Sequence, residues 1–356
     1  VAYDALFRGH LHLWLIALCV LGIVMADMGL MGSEWFSAKI VNLTRVYAFI
    51  PQVIADVPRS IRGGFHPNGV AGTLVFVIPI YVVQSAAALR RSIGQEETGP
   101  GMLSAGLALA ALGCTGITLA LTQSRGALMG LGITLVAFFF AWRRRWLLSL
   151  ASLIALILLA AALLISTPGL FGAFDAAPAG RDVESSFGFR LTAWRAAIQV
   201  IEAFPFTGVG IGTFDTIVRL LFPHLYPASP YDPLTTITHA HNELLQVAVD
   251  LGIPGFVAYV ALLAAFARTA WRAYVWAPDR RTRNVILGVG AGLLAHQLFG
   301  LTDAFMLGTK PGVVMWVLMG LVTGIYLRLA PHRLAVWACE GGWPAVRSRA
   351  SRSPCS

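Results

Sequence analysis

The sequence predicts an all-α polytopic membrane protein with about eight transmembrane helices, and three observations carry that reading. Hydrophobic residues make up 57% of the 356-residue chain and charged residues only 12%, against about 25% charged in an ordinary soluble domain. Runs of 17 to 21 residues without a single charge recur along it, long enough to cross a hydrocarbon core of about 30 Å. The arginines gather in alternate connections rather than evenly. The net charge of +9 would point to nucleic acid in a soluble protein, but here it sorts by side of the bilayer. No nucleic-acid partner is expected.

Spans are expected at 11–31, 69–88, 102–122, 126–142, 146–166, 254–271, 284–302 and 311–328. The first is too long for a leader peptide and lacks a small-residue cleavage site. With the N-terminus inside, sixteen basic residues fall on the inner side and ten on the longer outer segments, as the positive-inside rule requires. The four cysteines, Cys19, Cys114, Cys339 and Cys355, form no disulfide framework. Residues 1–330 read as one membrane domain and 331–356, rich in Arg, Ser, Pro and Gly, as a disordered inner tail.

The sixth span needs a decision. A continuous helix from Asn242 to Ala267 would be about 39 Å long at 1.5 Å per residue, too long without strong tilt. The run Gly252 to Gly255 (GIPG) offers a break, and Pro254 suits a first helical turn. Residues 240–251 therefore read as a short amphipathic helix on the outer surface, with the span starting near Pro254.

The outer loop 167–238 is long enough to be functional. Leu191, Trp194, Ile198 and Ile201 make a helical apolar stripe, with Arg190, Arg195 and Glu202 elsewhere on the segment. The glycine-rich run Gly208 to Phe214 (GVGIGTF) lacks the preceding βαβ context of a nucleotide fingerprint, so it reads as a tight turn. Pro223, Pro227, Pro230 and Pro233 rule out a regular helix up to His239.

The densest polar cluster follows. His239, His241, Asn242, Glu243, Gln246 and Asp250 fall within twelve residues. On a helix, Glu243, Gln246 and Asp250 form one polar stripe. His239 and His241, two apart, would point to different sides unless the segment is extended. Arg125 sits at the outer mouth of a helical hairpin, near the N-terminus of the fourth span. Arginine offers a fork of permanently charged donors suited to phosphate, and a helix N-terminus favours anions too; the competing reading is interfacial anchoring. Histidine titrates near neutral pH and can accept a hydroxyl proton, or simply cap the helix. A zinc site from His239, His241 and either Glu243 or Asp303 lacks a clear ligand spacing, and no metal is assigned. His66 reads equally as site or scaffold, and His296, beside Gln297 inside a span, as an interhelical hydrogen bonder.

The run His66 to Ala71 (HPNGVA), Ser124 to Ala127 (SRGA), Arg190 with Trp194, the Gly208 turn, His239 to Asn242 (HAHN) with Gly252 to Gly255, and Gly300 to Asp303 (GLTD) together resemble the O-antigen ligase and polymerase family of bacterial envelope proteins. The resemblance covers roughly 60–328. Family members usually carry more spans before the His66 motif, so further N-terminal helices are expected ahead of Val1. It implies a GT-C-like membrane glycosyltransferase of the bacterial inner membrane, needing neither nucleotide sugar nor other cofactor. Such enzymes move a glycan from undecaprenyl pyrophosphate to an acceptor hydroxyl, on lipid A-core for a ligase. His241, Arg125 and Arg190 are then the expected catalytic residues. His239, Asn242, Glu243, Gln246, His66, Asn68, Arg195 and Asp303 are expected to bind substrate, Glu243, Gln246 and Asp303 having the alternative of orienting the histidine. Glycan polymerases and protein oligosaccharyltransferases share these motifs. A small-solute transporter is the reading from another class, disfavoured because charge collects at the outer edge rather than in mid-membrane.

Overall fold

Helices account for almost all of the described residues, 11–33, 35, 40, 42–51, 65–93, 99–143, 150–156, 186–225, 237–305 and 310–339, of a computed structural model. In chain order they are α1 (Leu11–Gly32), α2 (Thr44–Tyr47), α3 (Pro67–Leu74), α4 (Ile78–Ile93), α5 (Gly99–Thr122) and α6 (Arg125–Trp142). Then come α7 (Ser186–Ala203), α8 (Phe214–Leu221), α9 (Glu243–Trp276), α10 (Arg280–Phe299) and α11 (Lys310–Cys339). Among the described residues there is no strand; one isolated bridge pairs Ser33 with Phe65. The protein is an all-α polytopic membrane protein.

Four helical stretches are long and apolar enough to cross a bilayer: Leu11–Gly32, Leu103–Thr122, Glu243–Trp276 and Gly312–Ala330. The second expected span, 69–88, is a broken one. α3 and α4 meet at a bend of 43° and together pass the same test, which makes five. α6 is apolar but shorter, and α10 is more polar, with three arginines in its first turn and Asn284, His296 and Gln297 in its body. Of the fifth expected span only 150–156, helical, lies among the described residues. α11 runs on to Cys339, so the boundary expected at 331 falls within a helix; 340–356 lie outside the described residues.

Local sequence explains the helix boundaries near the site. His66 caps α3 by accepting the Asn68 amide on Nδ1 at 3.2 Å, with Pro67 in the first turn, where its missing N–H costs nothing. Gly252 lies inside α9 at φ 70° and divides it as the length argument expects, though the first part starts at Glu243 rather than 240. A Cβ on Gly252 would meet the Phe206 carbonyl at 2.7 Å. Both constraints call for glycine, and Ile253 N–H then donates to Pro205 O at 2.7 Å.

The bundle packs around α10, which meets α4, α6, α9 and α11. Small residues permit the approach, as in other membrane helix pairs. A Cβ on Gly288 would meet Ile80 Cα at 2.9 Å, and one on Gly130 of α6 would meet Ala295 O at 2.9 Å. Buried Phe76, Val77, Ile80, Val285, Val289, Leu318 and Val322 fill the interior. Large apolar side chains also point outward, at Leu13, Val20, Val24 and Met28 on α1 and at Val257 and Val260 on α9, the surface a lipid-facing helix presents.

Gly292, whose Cβ would strike the Phe76 carbonyl, and Gly290, which faces open space, make a matched pair. Gly292→Ala should destabilise by about 1–3 kcal/mol through overpacking. Gly290→Ala should leave stability unchanged or raise it, by up to about 1 kcal/mol of helix propensity. Thermal unfolding of the two variants in detergent reads the difference, and equal effects would contradict this helix contact.

Candidate active site

The polar residues at one end of the bundle converge on the connection between α10 and α11. Asp303 is at its centre, 6% exposed. Its Oδ1 lies 3.1 Å from His239 Nε2 and 3.2 Å from His241 Nδ1, and accepts from Ala304 N–H at 2.9 Å. Its Oδ2 accepts from Asn68 Nδ2 at 3.3 Å, which ties the turn at the head of α3 to the same carboxylate. Burial alone would raise this carboxyl's pKa. The hydrogen bonds donated by His239 and His241 more than offset burial and hold it well below the usual carboxylate range.

Both histidines therefore point at one atom. The expectation that residues two apart diverge assumed helix at 239–242, and the structure corrects it: the helix begins only at Glu243. The imidazole centroids are 3.9 Å apart. His241 has φ 48°, a left-handed conformation uncommon outside glycine, and strain of this kind persists only where surroundings over-determine it. The surroundings are visible. The buried Gln246 accepts Ala240 N–H at 2.7 Å and donates to Asp250 Oδ1 at 2.8 Å. Asn242, expected to bind substrate, caps α9: its Oδ1 accepts from Leu244 and Leu245 N–H, while its Nδ2 donates to Leu301 O at 3.2 Å. Trp194 Nε1 donates to His241 O at 3.3 Å, and the Phe189 ring stands edge-on to the imidazole.

The tautomer of His241 follows from these partners. An ionised Asp303 only accepts, so His241 Nδ1 carries the proton and Nε2 keeps the lone pair. His239 is arranged oppositely: Nε2 donates to Asp303, and Nδ1, 2.8 Å from Thr238 Oγ1, accepts. For His241 burial lowers the pKa, the Asp303 hydrogen bond raises it, and the Arg190 charge lowers it again, for a net shift downward. His241 is neutral at pH 7.

Glu243, expected to touch substrate, is buried and clamps the Asp303 connection from beneath. Its N–H donates to Gly300 O at 2.6 Å, and its Oε2 accepts Phe305 N–H at 2.6 Å. Gln246, expected there too, is 1% exposed and committed to the contacts above. Both hold the site rather than line it. Spacing alone left the part of each open, since Glu243's partners lie on another segment and Gln246's include a main-chain amide.

The arginines divide. Arg190 Nε donates to Thr302 O at 2.8 Å, one residue from Asp303. Thr302 packs against Gly126, where a Cβ would collide with its hydroxyl, so the N-terminus of α6, with Arg125, borders the same connection. Arg195 lies on the exposed side of α7, and no described contact joins it to the cluster. Arg219 pairs with Asp215 at 3.0 Å within α8. His66 serves as the cap described above. His296 bonds Gly72 O at 3.1 Å and stacks on Phe76, the interhelical part expected of it.

Sequence reading missed Gln123. This buried residue at φ 49° precedes the α6 terminus, accepts Ile40 N–H and donates to Tyr47 Oη, both at 2.7 Å. Tyr47 in turn donates to Leu121 O and stacks on Trp35. A polar residue between two charge-free runs is the signal that could have flagged it.

Gln246→Leu strips Ala240 N–H and Asp250 of a buried partner, a loss of about 1–3 kcal/mol for an unsatisfied group. The variant should unfold at lower temperature in detergent, because the strained His241 backbone loses its support. An unchanged unfolding temperature would contradict this relay.

A family model described as O-antigen ligase matches residues 109–260. No curated protein matches the chain. The matched stretch contains Arg125, Arg190, both histidines, Asn242 and the Gly252 break, while Asn68 and Asp303 come from outside it. This is a multi-pass membrane protein whose residues 109–260 match the O-antigen ligase family.

Proposed function

We propose that the protein is a metal-independent glycosyltransferase, a ligase that moves a glycan from undecaprenyl pyrophosphate to a hydroxyl of lipid A-core. The observation that carries this reading is the pairing of His241 Nδ1 with the buried Asp303 at 3.2 Å, beside Arg190 and the α6 terminus. In this reading residues 1–330 form a GT-C-like domain of about eight spans in the inner membrane, with the site on the periplasmic face, where the arginine asymmetry puts it.

The donor needs little activation, because a diphosphate is a good leaving group. The acceptor oxygen attacks the anomeric carbon as His241 Nε2 takes its proton, and the bond between that carbon and the diphosphate oxygen breaks. The anionic diphosphate departs toward Arg125 and Arg190, whose planar forks suit phosphate. Asp303 stabilises the imidazolium that forms, and Nδ1–H keeps the ring turned toward the acceptor. The residual proton on Nε2 passes to solvent or to the departing diphosphate. A polymerase would use the same steps with a second lipid-linked repeat as acceptor, so transfer is best measured with both acceptors side by side. Transfer to the second repeat alone would replace ligase by polymerase.

His241→Ala should reduce transfer ~10²–10⁴-fold, the usual worth of a positioned base, with donor binding retained. Its neighbour is not a bystander: His239→Ala removes a donor from Asp303 and should also cost activity. Arg125→Lys should insert and fold yet lose most transfer, because a point charge does not replace a bidentate fork. Assays with purified lipid-linked glycan in nanodiscs, with and without chelator, decide these. A parental rate in the alanine variant at 241 would remove the base, and loss of transfer with chelator would remove metal independence.

The pH profile follows from the lowered His241 pKa. Neutral imidazole is the active form, so kcat/KM should stay level as pH falls through 6.5 and decline only below it. An acid limb centred above 6.5 would contradict a desolvated base.

A further inference from the structure

We propose that His239 Nε2, His241 Nδ1 and Asp303 Oδ1 form a site for a divalent transition-metal ion, zinc above all, which inhibits transfer when bound; the inhibitory part rests on the function proposed above. The three ligand atoms lie within 4.8 Å of one another. At tetrahedral zinc, with bonds of about 2.0–2.2 Å, neighbouring ligands are about 3.3–3.5 Å apart. The histidine nitrogens stand 3.1 and 3.2 Å from the shared carboxylate oxygen, so little movement would seat an ion. Two imidazoles and one carboxylate suit zinc rather than magnesium or calcium, which prefer all-oxygen shells. The site is held from behind. Asn68 bonds Oδ2, Thr238 bonds His239 Nδ1, and Gln246 fixes the backbone between the histidines, the outer partners that orient metal ligands.

Inhibition follows from the tautomers. Zinc takes the lone pair of a neutral ring nitrogen, so ligation through Nδ1 of His241 moves that ring's proton to Nε2. Ligation through Nε2 of His239 likewise moves its proton to Nδ1, where Thr238 Oγ1 can accept it. Each ring stays neutral and no proton leaves. The atom that takes the acceptor's proton has then become a donor, and the base is gone. The metal blocks the reaction by occupying the contact that orients the base.

Metal-stripped protein in nanodiscs, without donor or acceptor, is titrated with zinc by calorimetry and with cobalt(II) by visible absorption. Wild type should bind one equivalent more than His239→Gln or Asp303→Asn and should show a low-coordinate cobalt band that both variants lack. Saturating zinc should suppress wild-type transfer ~10²–10⁴-fold, the loss expected on removing a base, and chelator should restore it. Either variant binding zinc as wild type does would overturn the site, as would the absence of that extra equivalent. Zinc bound with transfer intact would overturn the inhibition, as would transfer that requires zinc. The binding arm needs no glycan transfer, so its failure leaves the proposed activity standing. Wild-type protein that binds zinc but transfers nothing when metal-free would sink that activity alone.

Discussion

One buried carboxylate organises this end of the molecule. Asp303 is taken out of water, which strongly disfavours its charge unless donors replace the lost hydration. The donors come from three places distant in sequence: Asn68 at the head of α3, the two histidines before α9, and the amide of Ala304. Each is placed by a device of its own. A proline-started turn presents Asn68, and Gln246 with the Asn242 cap forces the chain at 239–242 out of helix. Glu243 grips the connection on both sides of the aspartate. Removal of any one leaves a charge short of partners, so fold and site are coupled through a single group.

The kink at Gly252 serves the same end. A straight α9 would carry Glu243, Gln246 and Asp250 along the axis of the span. The left-handed glycine instead turns the first two and a half turns aside and lets the Pro205–Phe206 turn close against the break. The glycine-rich run at 208–212 follows, and Val209 and Gly210 N–H donate to Val249 and Asp250 carbonyls. Main-chain groups freed by the kink are thereby paired, as membrane and interfacial backbone requires. α7 is locked against α9 by the same contacts, which sets Arg190 and Trp194 over the histidines.

Much of this was legible in the sequence, for identifiable reasons. Burial in lipid leaves a coarse compositional mark, so the helical membrane class and most span positions follow from hydropathy. The division of α9 followed from a length no bilayer accommodates, and the placing of Arg125 at a hairpin mouth from two long apolar runs separated by four polar residues. The parts that were not legible depend on contacts between distant segments. Spacing on an assumed helix separated His239 from His241, because nothing local in HAHN announces a residue at φ 48°. The strain is imposed by Gln246 and by Leu301 and Gly300 across the fold. Glu243 and Gln246 read as a polar stripe open to substrate, since Phe305 N–H and Ala240 N–H, the backbone groups they accept, are invisible to side-chain patterns. The bend between α3 and α4 falls just before Pro79, which cannot donate to the Val75 carbonyl one turn back, but hydropathy averages across it.

The account stands or falls on the protonation pattern around Asp303. Nitrogen-15 NMR of histidine-labelled protein in nanodiscs at pH 7, with His241 assigned by its loss in His241→Ala, reports which ring nitrogen carries the proton. A proton on Nδ1 of a neutral His241, with an unprotonated Nε2, is the predicted result. A proton on Nε2, or an imidazolium at that pH, would contradict it, because the residue would then have no lone pair to offer an acceptor hydroxyl.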